Sequence, residues 1–293
     1  MYTIVTASQK GGSGKTTLSG HLAVEAERAG AGPVALVDTD PQGSLAMWWN
    51  ARQVPAPHFV KTGLLDLGQT LAKLAASGFR LTVIDTPPAI TSSISQVVAF
   101  ADLVIVPTRP SPHDLRAVGA TVDIAERHGK PLIFVLNEAT ARARITGESA
   151  VALSQHGTVA PVTIHHRVDF AASMIDGRTV QEVVPNSASA REVAELWLYI
   201  QAKLSRLVRD PSLIPDFQPQ HFAVNALMGG EDSDDEEDDE AVDIPPPPKQ
   251  IIEPPPLVST YSGPERRVNP PGTPYTGVER RAVAFGRRRM LVP

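Results

Sequence analysis

The 293-residue chain contains no cysteine, few aromatic residues and no long apolar run. The absence of cysteine excludes disulfide bonds and cysteine-based zinc or iron–sulfur sites, and it agrees with a reducing compartment. No stretch approaches the roughly 20 apolar residues that a membrane-spanning helix needs. The first residues lack the basic and then apolar pattern of a secretory signal peptide. We therefore expect a cytoplasmic protein without a signal peptide.

Charge is distributed unevenly along the chain, although the net charge is only −5. Residues 1–210 carry 19 basic and 18 acidic side chains, whereas residues 211–293 carry 8 and 14. The second part is rich in proline, nearly every residue of 231–240 is acidic, and arginine recurs towards the end. Such a composition cannot bury enough apolar surface to offset the ordering of the backbone. We predict a globular domain over 1–210 and a disordered tail over 211–293.

The predicted tail contains a short repeat. The sequence Tyr-Ser-Gly-Pro-Glu-Arg-Arg at 261–267 returns as Tyr-Thr-Gly-Val-Glu-Arg-Arg at 275–281. Two linked copies of a docking motif would bind a partner with avidity. A drifted low-complexity tail would look the same, so docking and drift both remain open.

Segments of two types alternate through the first 210 residues. Apolar runs of strand length lie at 2–7, 34–37, 81–84, 103–106 and 132–136, with a weaker one at 161–164. Helical patterns lie at 16–29, 65–76, 94–100, 114–127 and 147–155, and a long helix at 188–208 is capped by Asn186 or Ser187. Strands that are apolar on both faces and alternate with helices indicate a doubly wound α/β fold, with a mostly parallel sheet covered by helices on both faces. Ligands of such sheets bind beyond the carboxyl ends of the strands.

A glycine-rich loop directly follows the first strand and reads Lys10-Gly-Gly-Ser-Gly-Lys15-Thr-Thr17. Glycine lets a loop turn its backbone N–H groups towards one anion, and the helix that follows adds the positive end of its dipole. In such phosphate-binding loops the lysine, here Lys15, reaches the β- and γ-phosphates, and the hydroxyl of the next residue, here Thr16, binds Mg²⁺. The common form of this loop has a glycine five residues before Gly14, where this chain has Gln9. The chain also has a second lysine in the loop, Lys10.

Acidic residues follow the next two strands. Asp38 and Asp40 end the second strand, where an alternation of two would place them on one face. Asp85 closes the apolar strand at 81–84, which is typical of an acid that holds Mg²⁺ through water. The predicted metal ligands are therefore Thr16, Asp38 and Asp85. Arg109 follows the fourth strand, where a nucleotide or partner contact and a structural turn are both open.

The two motifs Lys-Gly-Gly-x-Gly-Lys-Thr-Thr and Asp-x-Asp-Pro-Gln-Gly resemble those of the deviant Walker A ATPases of the ParA/MinD group. The resemblance implies a P-loop NTPase fold that binds ATP and Mg²⁺. It implies that Lys15 acts in cis, that Lys10 reaches the nucleotide of a second subunit, and that Asp40 orients the attacking water. It also implies that Asn137 reads the adenine. The complete set of expected nucleotide-binding residues is Lys10, Gly11, Gly12, Ser13, Gly14, Lys15, Thr16, Thr17 and Asn137.

The same resemblance implies a slow, partner-stimulated switch that dimerises with ATP, binds DNA nonspecifically near the nucleoid and positions a cargo with a ParB-type or adaptor protein. The expected DNA-binding residues on the last helix are Arg191, Lys203, Arg206 and Arg209, of which the last three share one helical face. Two alternatives stay open: a MinD-like ATPase whose basic end, 280–292, contacts membranes, and a nucleotide-gated scaffold with little hydrolysis. The Asp-Pro-Gln-Gly match favours DNA partition, so we do not expect membrane binding.

Overall fold

The computed structural model describes residues 1–88 and 92–207. The predictions for the tail, its repeat and Arg209 concern residues outside this part of the chain.

The described residues form a seven-stranded parallel sheet in the order β3-β2-β4-β1-β5-β6-β7. The strands are β1 (Tyr2–Thr6), β2 (Val34–Asp38), β3 (His58–Val60), β4 (Leu81–Asp85), β5 (Leu103–Thr108), β6 (Leu132–Leu136) and β7 (Thr158–Val159). The helices are α1 (Lys15–Arg28), α2 (Ser44–Ala51), α3 (Leu67–Ala76), α4 (Ser92–Ala99), α5 (Pro112–Ala117), α6 (Gly119–Arg127), α7 (Arg144–Ser154), α8 (Val168–Met174), α9 (Val180–Val183) and α10 (Ala188–Leu204).

The sheet separates two apolar cores, one on each face. Successive residues of a strand point to opposite faces, and accordingly Ile4 belongs to one core and Val5 to the other. The first core also contains residues of α1 and α10, including the fully buried Leu22 and Leu196, and the second contains residues of α3, α4 and α6. The predicted doubly wound α/β fold is confirmed.

The parallel register brings the carboxyl ends of the central strands together. Thr6 at the end of β1 pairs with Asp85 at the end of β4, and Asp85 pairs in turn with Asp38 at the end of β2. Three chemically active side chains that are far apart in the sequence therefore lie side by side at one edge of the sheet.

Several predicted boundaries are wrong. The strand expected at 161–164 lies earlier and is shorter: it is the two-residue β7, Thr158–Val159. Beyond it the segment keeps isolated hydrogen bonds to the β6 side of the sheet, such as that from the Ile164 N–H to the Leu136 carbonyl at 2.9 Å. The helix expected at 114–127 is two helices, because the chain bends at Val118 just before Gly119. The short elements β3, α2, α8 and α9 were not predicted.

The last helix ends earlier than predicted, at Leu204 instead of residue 208. Ser187 caps its start, since its side chain accepts a hydrogen bond from the Ala190 N–H. At the other end, the N–H groups of Arg206 and Leu207 donate to carbonyls three residues back, so the chain tightens and leaves the α-helix. Arg206 therefore lies in a turn after the helix, so the predicted helical face does not continue from Lys203 to Arg206. None of the described helices is both long and apolar enough to cross a membrane.

Candidate nucleotide-binding site

The glycine loop connects β1 to α1 at the carboxyl edge of the sheet. Gly14 ends the loop with a φ of 92°, a left-handed conformation that favours glycine. A Cβ atom on Gly14 would lie 2.1 Å from Asn137 Nδ2, so the position also has no room for a side chain. Helix α1 begins at Lys15 without a side-chain cap, and its first N–H groups have the character of an anion site.

Asn137 holds this loop in place. Its side-chain amide donates to the Ser13 carbonyl at 2.8 Å, across 124 residues of sequence, and the residue is 6% exposed. Sequence analysis did not foresee this contact, since nothing in the local pattern around Asn137 points to the loop. The expected role of Asn137 in reading adenine stays a prediction.

Lys15 places its ammonium group inside the loop. The residue is 6% exposed, and Nζ donates to the Lys10 carbonyl at 3.4 Å. Burial lowers the pKa of Lys15, and the charges of Asp85 and Asp40 oppose that shift. A cation that has lost most of its water in this way gains from a nearby anion, as a bound phosphate would provide.

Asp85 is the most buried carboxylate of the site. It is 0% exposed and accepts hydrogen bonds from the hydroxyl groups of Thr16 (2.6 Å), Thr6 (3.2 Å) and Ser19 (3.3 Å). Burial raises the pKa of Asp85 to about 6, and the charge of Asp38 adds to the shift, whereas the Thr16 hydrogen bond and the Lys15 charge oppose it. An ionised Asp85 would therefore be stabilised by a cation at this edge.

Asp38 and Asp40 are arranged differently from the prediction. Strand β2 ends at Asp38, so the alternation of a strand does not extend to Asp40, and the argument that both share a strand face is wrong. The two oxygens of Asp38 accept from the N–H groups of Asp40 and Ala46, each at 3.0 Å, which anchors the start of α2. Asp40 accepts from the Gln42 N–H at 2.9 Å and remains close enough for its charge to act on Lys15.

The residues present fit a magnesium nucleotide. Mg²⁺ prefers oxygen ligands and usually keeps substrate phosphates and waters in its shell, and Thr16 with Asp85 supplies an oxygen pair beside the loop. Within residues 1–88 and 92–207, no cluster of three or more His, Asp or Glu side chains could hold a metal ion alone. The Ser13 hydroxyl is buried and lacks a hydrogen-bond partner among the same residues, so the loop has an unused polar group.

The remaining predicted residues lie in two other places. Lys10 lines an open cavity of about 420 Å³ together with Arg109 and Glu138. Arg191 lies in the first turn of α10 and donates to the Asn186 carbonyl, whereas Lys203 lies in the last turn over the ring of Tyr199. Twelve residues of α-helix separate the two by about 18 Å. The predicted DNA-binding cations on α10 therefore do not form one cluster.

The fold and the loop with its buried Asp85 define a P-loop nucleotide-binding protein. Residues 4–180 match the model of the CobQ/CobB/MinD/ParA nucleotide binding domain, and the chain belongs to this family. The resemblance inferred from the two motifs is confirmed. Members of the ParA/MinD group are P-loop ATPases that act in positioning, and the chain is one of this group.

Curated relatives and solved structures agree with this assignment. The maintenance of carboxysome distribution protein A (McdA) of Halothiobacillus neapolitanus is 30% identical over 204 residues, which are 65% of this chain and 92% of the relative. Protein ParA of Rhizobium radiobacter is 32% identical over 124 residues, or 42% and 53% of the two chains.

Two solved structures share the fold at low identity. Cyanothece apo McdA has a TM-score of 0.58 at 17% identity, and the match covers 69% of this chain and 99% of the other. MinD of Aquifex aeolicus has a TM-score of 0.59 at 16% identity, covering 69% and 97%. A MinD from Pyrococcus horikoshii with the same fold is complexed with Mg-ADP.

Proposed function

We propose that this protein is an ATP-dependent, dimerising switch ATPase that binds DNA nonspecifically and positions a large cargo with a ParB-type or adaptor partner. One observation carries the proposal. A desolvated lysine, Lys15, and a hydroxyl–carboxylate pair, Thr16 and Asp85, meet on a glycine loop within reach of the charge of Asp40. Phosphoryl transfer depends mainly on positioning and on the neutralisation of charge, which these groups provide.

Each residue has a defined task in this mechanism. The loop N–H groups and Lys15 bind the β- and γ-phosphates of ATP, and Thr16 with Asp85 would hold Mg²⁺. When bound, Mg²⁺ supplies positive charge that neutralises the phosphate oxygens. Asp40 orients the attacking water. Asp38 positions Asp40, since its carboxylate binds the Asp40 N–H and the start of α2, and its expected place among the Mg²⁺ ligands stays a prediction.

The hydrolysis step is tested with single substitutions. Lys15→Ala and Asp40→Ala should each reduce ATP turnover at least about a hundredfold, the usual cost of losing charge stabilisation or a proton acceptor. Lys73→Ala, which removes an exposed lysine from α3, is the matched control and should leave turnover unchanged. Equal turnover in all three variants would refute the mechanism and leave the scaffold alternative.

Dimerisation is tested with a variant that is expected to bind ATP without hydrolysing it. With Asp40→Ala, saturating ATP and Mg²⁺, light scattering after size exclusion should report a dimer, because Lys10 of each subunit then contacts the nucleotide of the other. Lys10→Ala in the same background should remain monomeric. A monomeric Asp40→Ala protein would contradict the proposed switch.

DNA binding rests on cations at the start of α10, in its last turn and just after it. Arg191 and Arg206 are exposed, and Lys203 is half-buried. Cosedimentation with ATP should recover the protein with DNA but not with anionic liposomes, and raising salt should weaken the DNA complex. Lys203→Glu with Arg206→Glu should weaken it further, whereas Lys61→Glu, at an exposed position after β3, should not. Recovery with liposomes alone would favour the MinD-like function.

The cargo class follows from the relatives. Their names refer to carboxysome distribution and, for a ParA of Thermus thermophilus, to plasmid partitioning, so we propose a protein compartment or a plasmid as the cargo. A fluorescent fusion should then coincide with the nucleoid in the cytoplasm, and its cargo should lose even spacing with Lys15→Ala. A partner protein that raises turnover severalfold would identify the adaptor.

A further inference from the structure

Arg109 lies against the glycine loop at a position to which no role in the reaction has been assigned. It follows β5, which pairs in parallel with β1, so it emerges at the same edge of the sheet as the loop. A Cβ atom on Gly12 would lie 3.7 Å from Arg109 Nη1, in ordinary van der Waals contact. The guanidinium therefore lies close to the part of the loop that precedes Lys15.

The orientation of this guanidinium is fixed from one side. Arg109 Nε donates to Asp114 Oδ1 at 3.1 Å. Asp114 is 4% exposed and is held in turn by Ser111, whose hydroxyl donates to Oδ2 at 2.5 Å and accepts from the Asp114 N–H at 3.1 Å. A carboxylate bound on both oxygens leaves Arg109 little freedom, so its two terminal nitrogens are pre-organised.

Those terminal nitrogens have no hydrogen bond within residues 1–88 and 92–207. The carboxylate of Glu138 approaches them, but its Oε2 lies 3.9 Å from Nη1, which is too long for a hydrogen bond. The side chains of Arg109 and Glu138 are 32% and 40% exposed, and pairs this exposed contribute little to stability. A merely structural role therefore does not explain the two terminal nitrogens of Arg109.

Arg109 and Lys10 line the same open cavity of about 420 Å³. Two of its lining groups are cations and two are carboxylates, but Asp114 is already engaged on both oxygens. Glu138 is thus the one carboxylate of the lining that a phosphate would have to displace from Arg109.

The position of Lys15 shows which phosphate would enter. Its ammonium group contacts the Lys10 carbonyl, at the beginning of the loop. Because the loop lysine binds the β- and γ-phosphates, this end of the loop is the terminal-phosphate end, and Arg109 lies beside it. We propose, building on the function proposed above, that Arg109 binds the terminal phosphate of ATP, discriminates ATP from ADP, and exchanges Glu138 for that phosphate.

Calorimetric titration of the full chain with Mg-ATPγS and Mg-ADP tests the proposal. Arg109→Ala should weaken ATPγS at least about tenfold, the usual value of charge-assisted hydrogen bonds, and ADP less than about threefold. Arg109→Lys should recover only part of the lost ATPγS affinity, because lysine lacks the two parallel N–H donors of a guanidinium. Glu138→Gln should tighten ATPγS about two- to fivefold, since it removes the competing carboxylate. Arg116→Ala, an exposed arginine on α5, is the control.

The outcomes separate this role from others. Equal weakening of both nucleotides, or no weakening by Arg109→Ala, would overturn the proposal. A merely structural role predicts a lower Tm of the nucleotide-free protein with unchanged preference for ATPγS over ADP. If Arg109→Ala does not fold, Glu138→Gln decides, and unchanged ATPγS affinity then counts against the proposal. Failure of the wild type to bind either nucleotide would instead refute the proposed function itself.

Discussion

His21 should make the folded protein sensitive to acid. The imidazole is 0% exposed within α1, where its Nδ1 lies 2.7 Å from the Thr17 carbonyl and its Nε2 lies 3.3 Å from the Val180 N–H. The neutral ring satisfies both contacts by donating from Nδ1 and accepting at Nε2. The imidazole and the Phe170 ring pack edge to face, with their centroids 5.2 Å apart. A second proton on Nε2 would face the Val180 N–H in a buried place.

The sign and size of the effect follow from the pKa of His21, which burial lowers from 6.5 to about 4. The unfolded chain binds the proton more readily, so the stabilising contribution is complete above pH 6.5 and is lost as the pH falls towards 4. At pH 5 the loss amounts to about 2 kcal/mol, and well below pH 4 it approaches about 3 kcal/mol. This is a large share of the stability of a typical domain.

Urea unfolding between about pH 7.5 and pH 4.5 measures the effect, with His21→Gln as the perturbation. A glutamine amide can donate to Thr17 and accept from Val180 but does not titrate. The unfolding free energy of the wild type should therefore fall by about 2 kcal/mol relative to that of the variant between pH 7.5 and pH 5. His156→Gln, at an exposed position after α7, is the control and should leave the profile unchanged. Parallel profiles for wild type and His21→Gln would refute the reasoning.

Three further substitutions test the site and its support. Asp85→Asn should stabilise the nucleotide-free protein by about 3 kcal/mol near pH 7.5, because the folded-state pKa of about 6 means that an ionised Asp85 destabilises the fold. Below pH 3.8 Asp85 is protonated in both states and the gain should vanish; urea unfolding with a chelator measures this. Gly14→Ala should abolish nucleotide binding in calorimetry, since its Cβ would collide with Asn137. Arg52→Ala should lower the unfolding free energy by about 3 kcal/mol, because Glu182 loses both hydrogen bonds from the buried guanidinium; adding Glu182→Gln should recover part of it.

The main strands and the phosphate loop were predictable because their signals are local. Five strands are apolar on both faces, and the loop pattern stands directly between a strand and a helix, so each could be recognised without knowing its neighbours. The position of Asp85 beside Thr16 followed from the same logic, since parallel strands end at one edge.

The elements that were missed depend on distant contacts. Helix α9 has four residues, and its neighbourhood is fixed by Arg52, which donates to the Gly177 carbonyl and to Glu182 across 125 and 130 residues of sequence. Strand β3 has three residues and lies at the edge of the sheet. Elements this short have no reliable periodicity of their own, and tertiary contacts decide whether they form. The hydrogen bond from Asn137 to the phosphate loop is hidden from sequence reasoning for the same reason.

These long-range contacts connect Asp38 to residues near position 180. Asp38 binds the Ala46 N–H in α2, and α2 continues into Trp48, whose indole N–H donates to the Arg178 carbonyl at 3.1 Å. The segment after Arg178 returns to α1, where the Val180 N–H donates to His21. Helix α1 carries Lys15 and Thr16, so the hydrogen bonds form a closed circuit through the site. Because Trp48 and His21 in this circuit are buried, the loss of one of its hydrogen bonds should weaken the support of both Asp38 and α1.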